Sequence, residues 1–290
     1  MHKVECVHKG NNILGEMPVW SSRRKQLLWI DVRRPELYAY DPQNGNVQAW
    51  PMPQVIGSFC ERRAGGLLLA LKSGIHLFDM DSGACQMWLD PETHLPNNRL
   101  NDGKCDRQGR FIVGSMYDGT RLPTGTLYSV DGEKTVTEMI HGITIPNSLA
   151  WSPEGRKMYF ADTPTLKIMA YDYDADTGAL SNACVFRDMA DHPGRPDGST
   201  VDADGCVWNA EVHASRVVRY TPEGKIDRVI ELPASGVTSC GFGGNRMDTL
   251  YITTARQNLS TDQLAQQPLA GALFALHVGE IGIQETPFLG

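Results

Sequence analysis

Apolar and polar residues alternate along this chain in short bursts, and Gly, Pro, Asn or Asp closes each burst. Leu27-Leu-Trp-Ile-Asp31 and Leu37-Tyr-Ala-Tyr-Asp41 make one pair of such runs, and Leu67-Leu-Leu-Ala-Leu71 and Ile75-His-Leu-Phe-Asp79 make a second. Phe111–Met116 with Thr126–Asp131, Met158–Asp162 with Ile168–Asp172, Cys206–Ala210 with Val217–Tyr220, and Leu250–Thr254 with Ala272–Leu276 continue the series. Runs this short, rich in Val, Ile, Leu, Tyr and Phe and bounded by turns such as Asn44-Gly45 and Asp81-Ser-Gly83, predict strands. Before each pair stands an opening segment and a Gly/Pro/Asp turn, so the chain holds six copies of one unit at roughly 40–50-residue intervals, the spacing of four-stranded propeller blades. Helical periodicity is confined to Thr261–Gln267, which Ser260 can cap and Pro268 would stop. The lack of crossover helices argues against a parallel α/β fold. The predicted fold is all-β, a six-bladed β-propeller in one domain spanning 1–290. The strand Lys3–Val7 is expected to close it beside Ile281–Gln284, removing exposed edges.

Composition narrows the partners. Of 290 residues, 41% are hydrophobic and 21% charged, and the net charge is -7. That balance fits a soluble chain with a substantial core and speaks against nucleic acid, which wants a basic surface. Neither a signal peptide nor an apolar run of membrane-spanning length is legible, so no membrane partner and a cytoplasmic location are expected. The seven cysteines are odd in number and contain no CxxC pair, the pattern of free thiols in a reducing compartment.

The familiar catalytic signatures are absent: no GxSxG, no HExxH, no phosphate-binding Walker loop, and no strand followed by GxGxxG. The glycines of Gly241-Phe-Gly-Gly244 belong to a repeat turn. What stands out is a position. Three units open with an oxygen-bearing side chain at a matching place: Glu16 in Gly15-Glu-Met-Pro18, Asn147 in Pro146-Asn-Ser148 and Asp197 in Pro196-Asp-Gly198. In a propeller the innermost strands line a central channel, so these three oxygens are expected to converge on one hard, oxygen-ligated divalent cation: Ca²⁺, Mg²⁺, Mn²⁺, Zn²⁺ or Fe²⁺. In Asn98-Arg-Leu-Asn-Asp-Gly-Lys104, Asn101 occupies the same repeat position. Arg99, two residues before it, points the same way in an extended segment. A guanidinium and an amide on one rim suit a polyhydroxylated or carboxyl-bearing small molecule.

These same stretches resemble the senescence-marker-protein/gluconolactonase family: Gly15–Trp20, Asn98–Lys104, Asn147-Ser148, Pro196–Gly198, Cys240–Gly244, Thr253–Arg256 and Gln267–Ala272. The resemblance runs from about Val4 to the C-terminus. It implies a six-bladed propeller with one divalent metal, and hydrolysis of a sugar lactone. It further implies Glu16, Asn147 and Asp197 as the metal ligands, Arg99 and Asn101 as the substrate-contacting pair, and Asp197 as the general base. Relatives carry an acidic pair after a Gly-Thr-Met motif. Here Gly114-Ser-Met116 leads into Tyr117-Asp118-Gly119, so Asp118 alone fits that substrate-binding role. After Trp208, where relatives often carry small residues, this chain has Asn209, Glu211 and His213, and the last two are expected to shape the pocket.

The expectation is a metal-dependent lactonase that opens a sugar lactone to its aldonic acid, a monomer or weak homo-oligomer. Alternatives are a phosphotriesterase-like hydrolase and a non-catalytic calcium-binding or protein-docking propeller, since fold alone does not establish catalysis.

Overall fold

The paired strands predicted for each repeat form, and the strands associate in fours. The computed structural model describes residues 4–290 and contains six four-stranded antiparallel sheets, the blades of a six-bladed β-propeller. The first three strands of most sheets carry near-continuous buried runs, as at Leu67–Leu71, because both faces are covered; Lys167–Tyr173 is the exception and is only partly buried. The fourth strands, such as Leu180–Asp188, are mostly exposed and read as mixed polar sequence. One short helix, Thr261–Gln266, forms where expected. Ser260 accepts from the Gln263 backbone and the Gln263 side chain returns the bond, a reciprocal cap. No helix among the described residues is long and apolar enough to cross a membrane. The seven cysteines are free thiols.

The chain forms two compact units. One comprises 1–52 and 189–284, the other 53–188 and 285–290. The first unit holds three sheets. The first sheet runs Gly15–Ser21, Gln26–Asp31, Glu36–Tyr40 and Val47–Pro51. The fifth runs Arg195–Val201, Val207–Val212, Arg216–Tyr220 and Ile226–Glu231. The sixth takes Val237–Gly243, Thr249–Thr254 and Leu273–His277 from the end of the chain and Glu5–His8 from its start. The expected closing strand is therefore present, with a different partner. Glu5 and Cys6 pair with Ala275 and Phe274. Ile281–Gln284 forms no strand; Gly282 bridges Asp202 instead. Lys3, the first residue of the predicted strand, lies outside the described residues. Apolar clusters fill the space between neighbouring sheets: Trp20, Trp29, Tyr38 and Tyr251 between the first and sixth, and Trp208, Val217, Val237 and Phe274 between the fifth and sixth.

The second unit holds the other three sheets. The second runs Ile56–Glu61, Leu67–Leu71, Gly74–Phe78 and Cys85–Leu89. The third runs Asn98–Cys105, Phe111–Tyr117, Gly125–Val130 and Val136–Ile143. The fourth runs Pro146–Trp151, Lys157–Asp162, Lys167–Tyr173 and Leu180–Asp188. Phe111, Val113 and Tyr128 pack against Leu68 and Ile75 and enclose Phe288 from the chain's end. On the other side, Ile112 and Leu127 meet Leu149, Trp151 and Phe160.

Candidate active site

Local turn chemistry sets the register of the four candidate strands. Ser21 ends the first strand of its sheet and Asp106, Ser152 and Asp202 immediately follow theirs, and each side-chain oxygen accepts backbone N–H groups of the turn: Arg24; Gln108 and Arg110; Arg156 and Lys157; Asp204 and Cys206. Glu16, Asn101, Asn147 and Asp197 each stand five residues earlier on these strands. Measured from the turn, the four positions are equivalent, as the repeats led one to expect.

Measured from the ladder they are not. Each first strand slips register against its neighbour, and the slip falls between Glu16 and Val19, Leu100 and Gly103, Asn147 and Ala150, and Pro196 and Ser199. Glu16 and Asn147 are thus the last paired residues before a bulge, whereas Asn101 and Asp197 lie inside one. Met17 and Ser148, the residues immediately after Glu16 and Asn147, take left-handed backbone angles (φ 55° and 62°) although neither is glycine. Strain of this kind persists only where surrounding structure holds it, and it concentrates at functional sites. Asp31 and Asp162 brace the chain ahead of both. Their carboxylates accept the backbone N–H groups of Ile13 and Leu14, and of Thr144 and Ile145, just ahead of the two strained strands.

In the second unit the structure brings four candidates together. Arg99, buried at 4% exposure, donates Nη1 to the side-chain oxygen of Asn101 at 2.7 Å and to the carbonyl of Leu100 at 3.0 Å. The Asn101 amide nitrogen in turn donates to the Pro146 carbonyl (2.9 Å) and to Asn147 Oδ1 (3.2 Å). Asn147 donates its own Nδ2 to Thr163 Oγ1 at 2.8 Å, which fixes the orientation of its amide. Asp118 faces Arg99 Nε at 3.4 Å and Lys72 Nζ at 2.9 Å. Arg99 and Lys72 also line a cavity of about 350 Å³ with Asn98 and Glu92. Glu92 is buried and accepts from Asn98, Ser115 and Tyr128, so it anchors the loop that leads into the Arg99 strand. Burial, then the bond to Glu92, pushes the Tyr128 hydroxyl well above its ordinary range.

Glu16 and Asp197 lie in the first unit. The Thr238 hydroxyl, fully buried, donates to the carbonyl of Gly15 beside Glu16. Asp197 is 8% exposed. Its strand approaches the sixth sheet so closely that a Cβ on Gly198 would stand 2.2 Å from Ser239 Oγ and 2.6 Å from Ser239 Cβ. Glu211 is fully buried and accepts from His192 (3.1 Å), Arg216 Nε (2.8 Å) and Tyr220 (2.6 Å), tying down the loop ahead of the Asp197 strand. His213 is an exposed turn residue with φ 75°, its N–H on the Ser235 carbonyl.

The oxygens of Glu16, Asn147 and Asp197 are each hard donors of the kind divalent cations take, and the Thr163 bond turns Asn147 Oδ1, not its nitrogen, to the other side. Among the described residues, no three His, Cys, Asp or Glu side chains gather as a metal-binding group. Sequence reading missed Thr163, Glu92 and Lys72. Each meets its partner from a separate stretch of chain, so no local motif marks it.

Residues 14–256 match the family described as SMP-30/Gluconolactonase/LRE-like region. The chain is 36% identical over 288 residues to 6-deoxy-6-sulfogluconolactonase of Pseudomonas putida, covering 99% of each. It is 34% identical over 283 residues to L-arabinolactonase of Azospirillum brasilense, covering 96% of this chain and 93% of that protein. The crystal structure of a calcium-binding protein, regucalcin, from Agrobacterium tumefaciens superposes with a TM-score of 0.95 at 29% identity, covering 100% of this chain and 98% of that one. A family match over most of the length, the same six blades, and relatives above 30% identity end to end lead to one conclusion: the chain belongs to the SMP-30/gluconolactonase family.

Proposed function

We propose that the whole chain, 1–290, works as one cytoplasmic lactonase domain that hydrolyses a sugar lactone to its aldonic acid. The observation that carries this reading is near-complete alignment, at 36% and 34% identity, with two relatives named as sugar lactonases. The candidate residues supply the parts such a reaction needs. Arg99 and Asn101 bind ring hydroxyls and orient the lactone. Asp118, through its contact with Arg99 Nε, fixes the guanidinium and closes the polar rim with Lys72. Asp197 accepts a proton from the attacking water as the new C–O bond forms, then returns it to the ring oxygen as the ester bond breaks. Glu16, Asn147 and Asp197 would hold a divalent cation, supported by their common distance from the turn and the all-oxygen character of the set. When bound, that cation supplies Lewis-acid polarisation of the lactone carbonyl.

A pH-stat assay of five- and six-membered aldonolactones, on chelated protein and after adding back each divalent metal, tests the reading. Metal-dependent acid release is expected, with Glu16→Gln weakening metal affinity without unfolding the chain. Turnover of phosphotriesters but of no lactone would replace the reading with the phosphotriesterase-like one. Calcium binding without turnover of any ester would favour a non-catalytic calcium binder; the similar Agrobacterium protein is named a calcium-binding protein.

A further inference from the structure

Just past each bulge, the first residue to rejoin the ladder faces one residue of the second strand. In five of the six sheets that residue is Leu28, Ala70, Val113, Tyr159 or Thr253. In the fifth sheet it is Asn209, facing Ser199. Asn209 is fully buried. An amide at a point where Leu, Ala, Val or Tyr elsewhere fills the core incurs desolvation that only hydrogen bonds recover. The bonds it makes are specific. Nδ2 donates to the backbone carbonyl of Asp197 at 3.0 Å and to Ser199 Oγ at 2.9 Å. The ladder between the first two strands skips Asp197 and Gly198, passing from Pro196–Glu211 to Ser199–Asn209. A side chain therefore does across this bulge what a backbone partner does along the rest of the strand. The nearest parallel is Thr253, whose hydroxyl meets Thr238 Oγ1 at 3.0 Å, while Thr238 bonds Gly15 beside Glu16.

We infer that Asn209 is a positioning residue: it pins the peptide of Asp197 across the bulge and thereby aims the Asp197 carboxylate. The inference rests on Asp197 being the proton acceptor of lactone hydrolysis. A buried residue that departs from the local rule of its repeat, beside the residue proposed to do the chemistry, is where function overrides packing.

A double-mutant cycle tests it. Asn209→Leu puts an aliphatic side chain of similar size where Val113 stands in the third sheet, whose bulge falls at the same distance from its turn, so the fold and the KM for lactone are expected to hold. The kcat is expected to fall about tenfold to a hundredfold, the scale of a slightly misplaced reactive group. In an Asp197→Asn background the same substitution is expected to cost less than about twofold more, because residues acting as one unit give non-additive losses. Calorimetric titration with Mn²⁺, which needs no turnover, is expected to show weaker binding in Asn209→Leu and no further weakening when it is added to Asp197→Asn. Should Asn209→Leu fail to fold by circular dichroism, Asn209→Thr, whose hydroxyl stops one bond short of the Asp197 carbonyl, carries the same cycle. An undiminished kcat in the single variant, or a full additive loss in the double one, overturns the inference and leaves the base assignment standing. Wild-type kcat in Asp197→Asn alone overturns both.

Discussion

The amide nitrogen of Asn101 donates to the side-chain oxygen of Asn147 at 3.2 Å, joining the first strands of the third and fourth sheets at the two equivalent positions. The same nitrogen also reaches the Pro146 carbonyl, and the Asn101 oxygen receives Arg99. One amide thus orients a residue proposed for substrate and another proposed for metal.

Asn101→Asp is accordingly expected to damage lactone turnover more than Asn101→Ala. The carboxylate would turn an acceptor toward two acceptors, whereas alanine removes only the contact. Steady-state kinetics should show kcat/KM down about a hundredfold in the Asp variant, a loss of roughly 3 kcal/mol in transition-state stabilisation. An Asp variant more active than the Ala one would mean that the donor half of this amide does no work in the site.

Asp197→Asn separates two roles. Asn147 occupies the same distance from its turn, so an amide is accommodated at this position of the repeat. The substitution keeps an oxygen and removes the proton acceptor. Turnover is expected to drop by about 10²–10⁴-fold, the usual contribution of a positioned base. Excess divalent metal is expected not to restore it. Recovery to near wild-type rates at saturating metal would reduce Asp197 to a ligand.

Removal of residues 1–8 takes the edge strand Glu5–His8 from the sixth sheet and uncovers the backbone of Leu273–His277. It also removes Val4, Cys6 and Val7 from the apolar clusters they pack against. The melting temperature is expected to fall by about 10 °C, which for a chain of this size corresponds to a few kcal/mol. A truncated protein that melts with the intact one would show that this strand contributes nothing to closure.

Alkaline pH should unfold the protein for an identifiable reason. Burial raises the hydroxyl of Tyr251 to about 12 and those of Tyr38, Tyr128 and Tyr173 further still. In the unfolded chain these groups ionise near the ordinary tyrosine value of about 10. Between that pH and the raised folded values the native state holds more protons than the unfolded state, so stability falls as pH rises. It is complete below about pH 10 and is lost progressively above it. Denaturant midpoints measured from pH 8 to 11.5 should decline over the upper part of this range, and absorbance near 295 nm should show these tyrosines ionising only with unfolding. Midpoints flat across the range would contradict the assignment.

How much of this was open to reading in the chain follows from the range of each interaction. Strand runs, turn residues and the Ser260 cap rest on bonds between near neighbours, such as Asp202 to the amides of Asp204 and Cys206, and so they leave a local pattern. Because a side chain at the turn fixes each first strand, the shared spacing to Glu16, Asn101, Asn147 and Asp197 is visible in the sequence alone. The bulges are not, since they depend on how two strands fit and on the left-handed backbone at Met17 and Ser148. Nor could sequence choose between Leu273–His277 and Ile281–Gln284 as partner of the first strand: both are short apolar segments, and only packing inside the sixth sheet selects one. Asn209, Thr163 and Thr238 acquire their roles in the same way. Their partners Asp197, Asn147 and Gly15 stand 12, 16 and 223 residues away in the chain, and tertiary contact alone brings each pair within hydrogen-bonding reach.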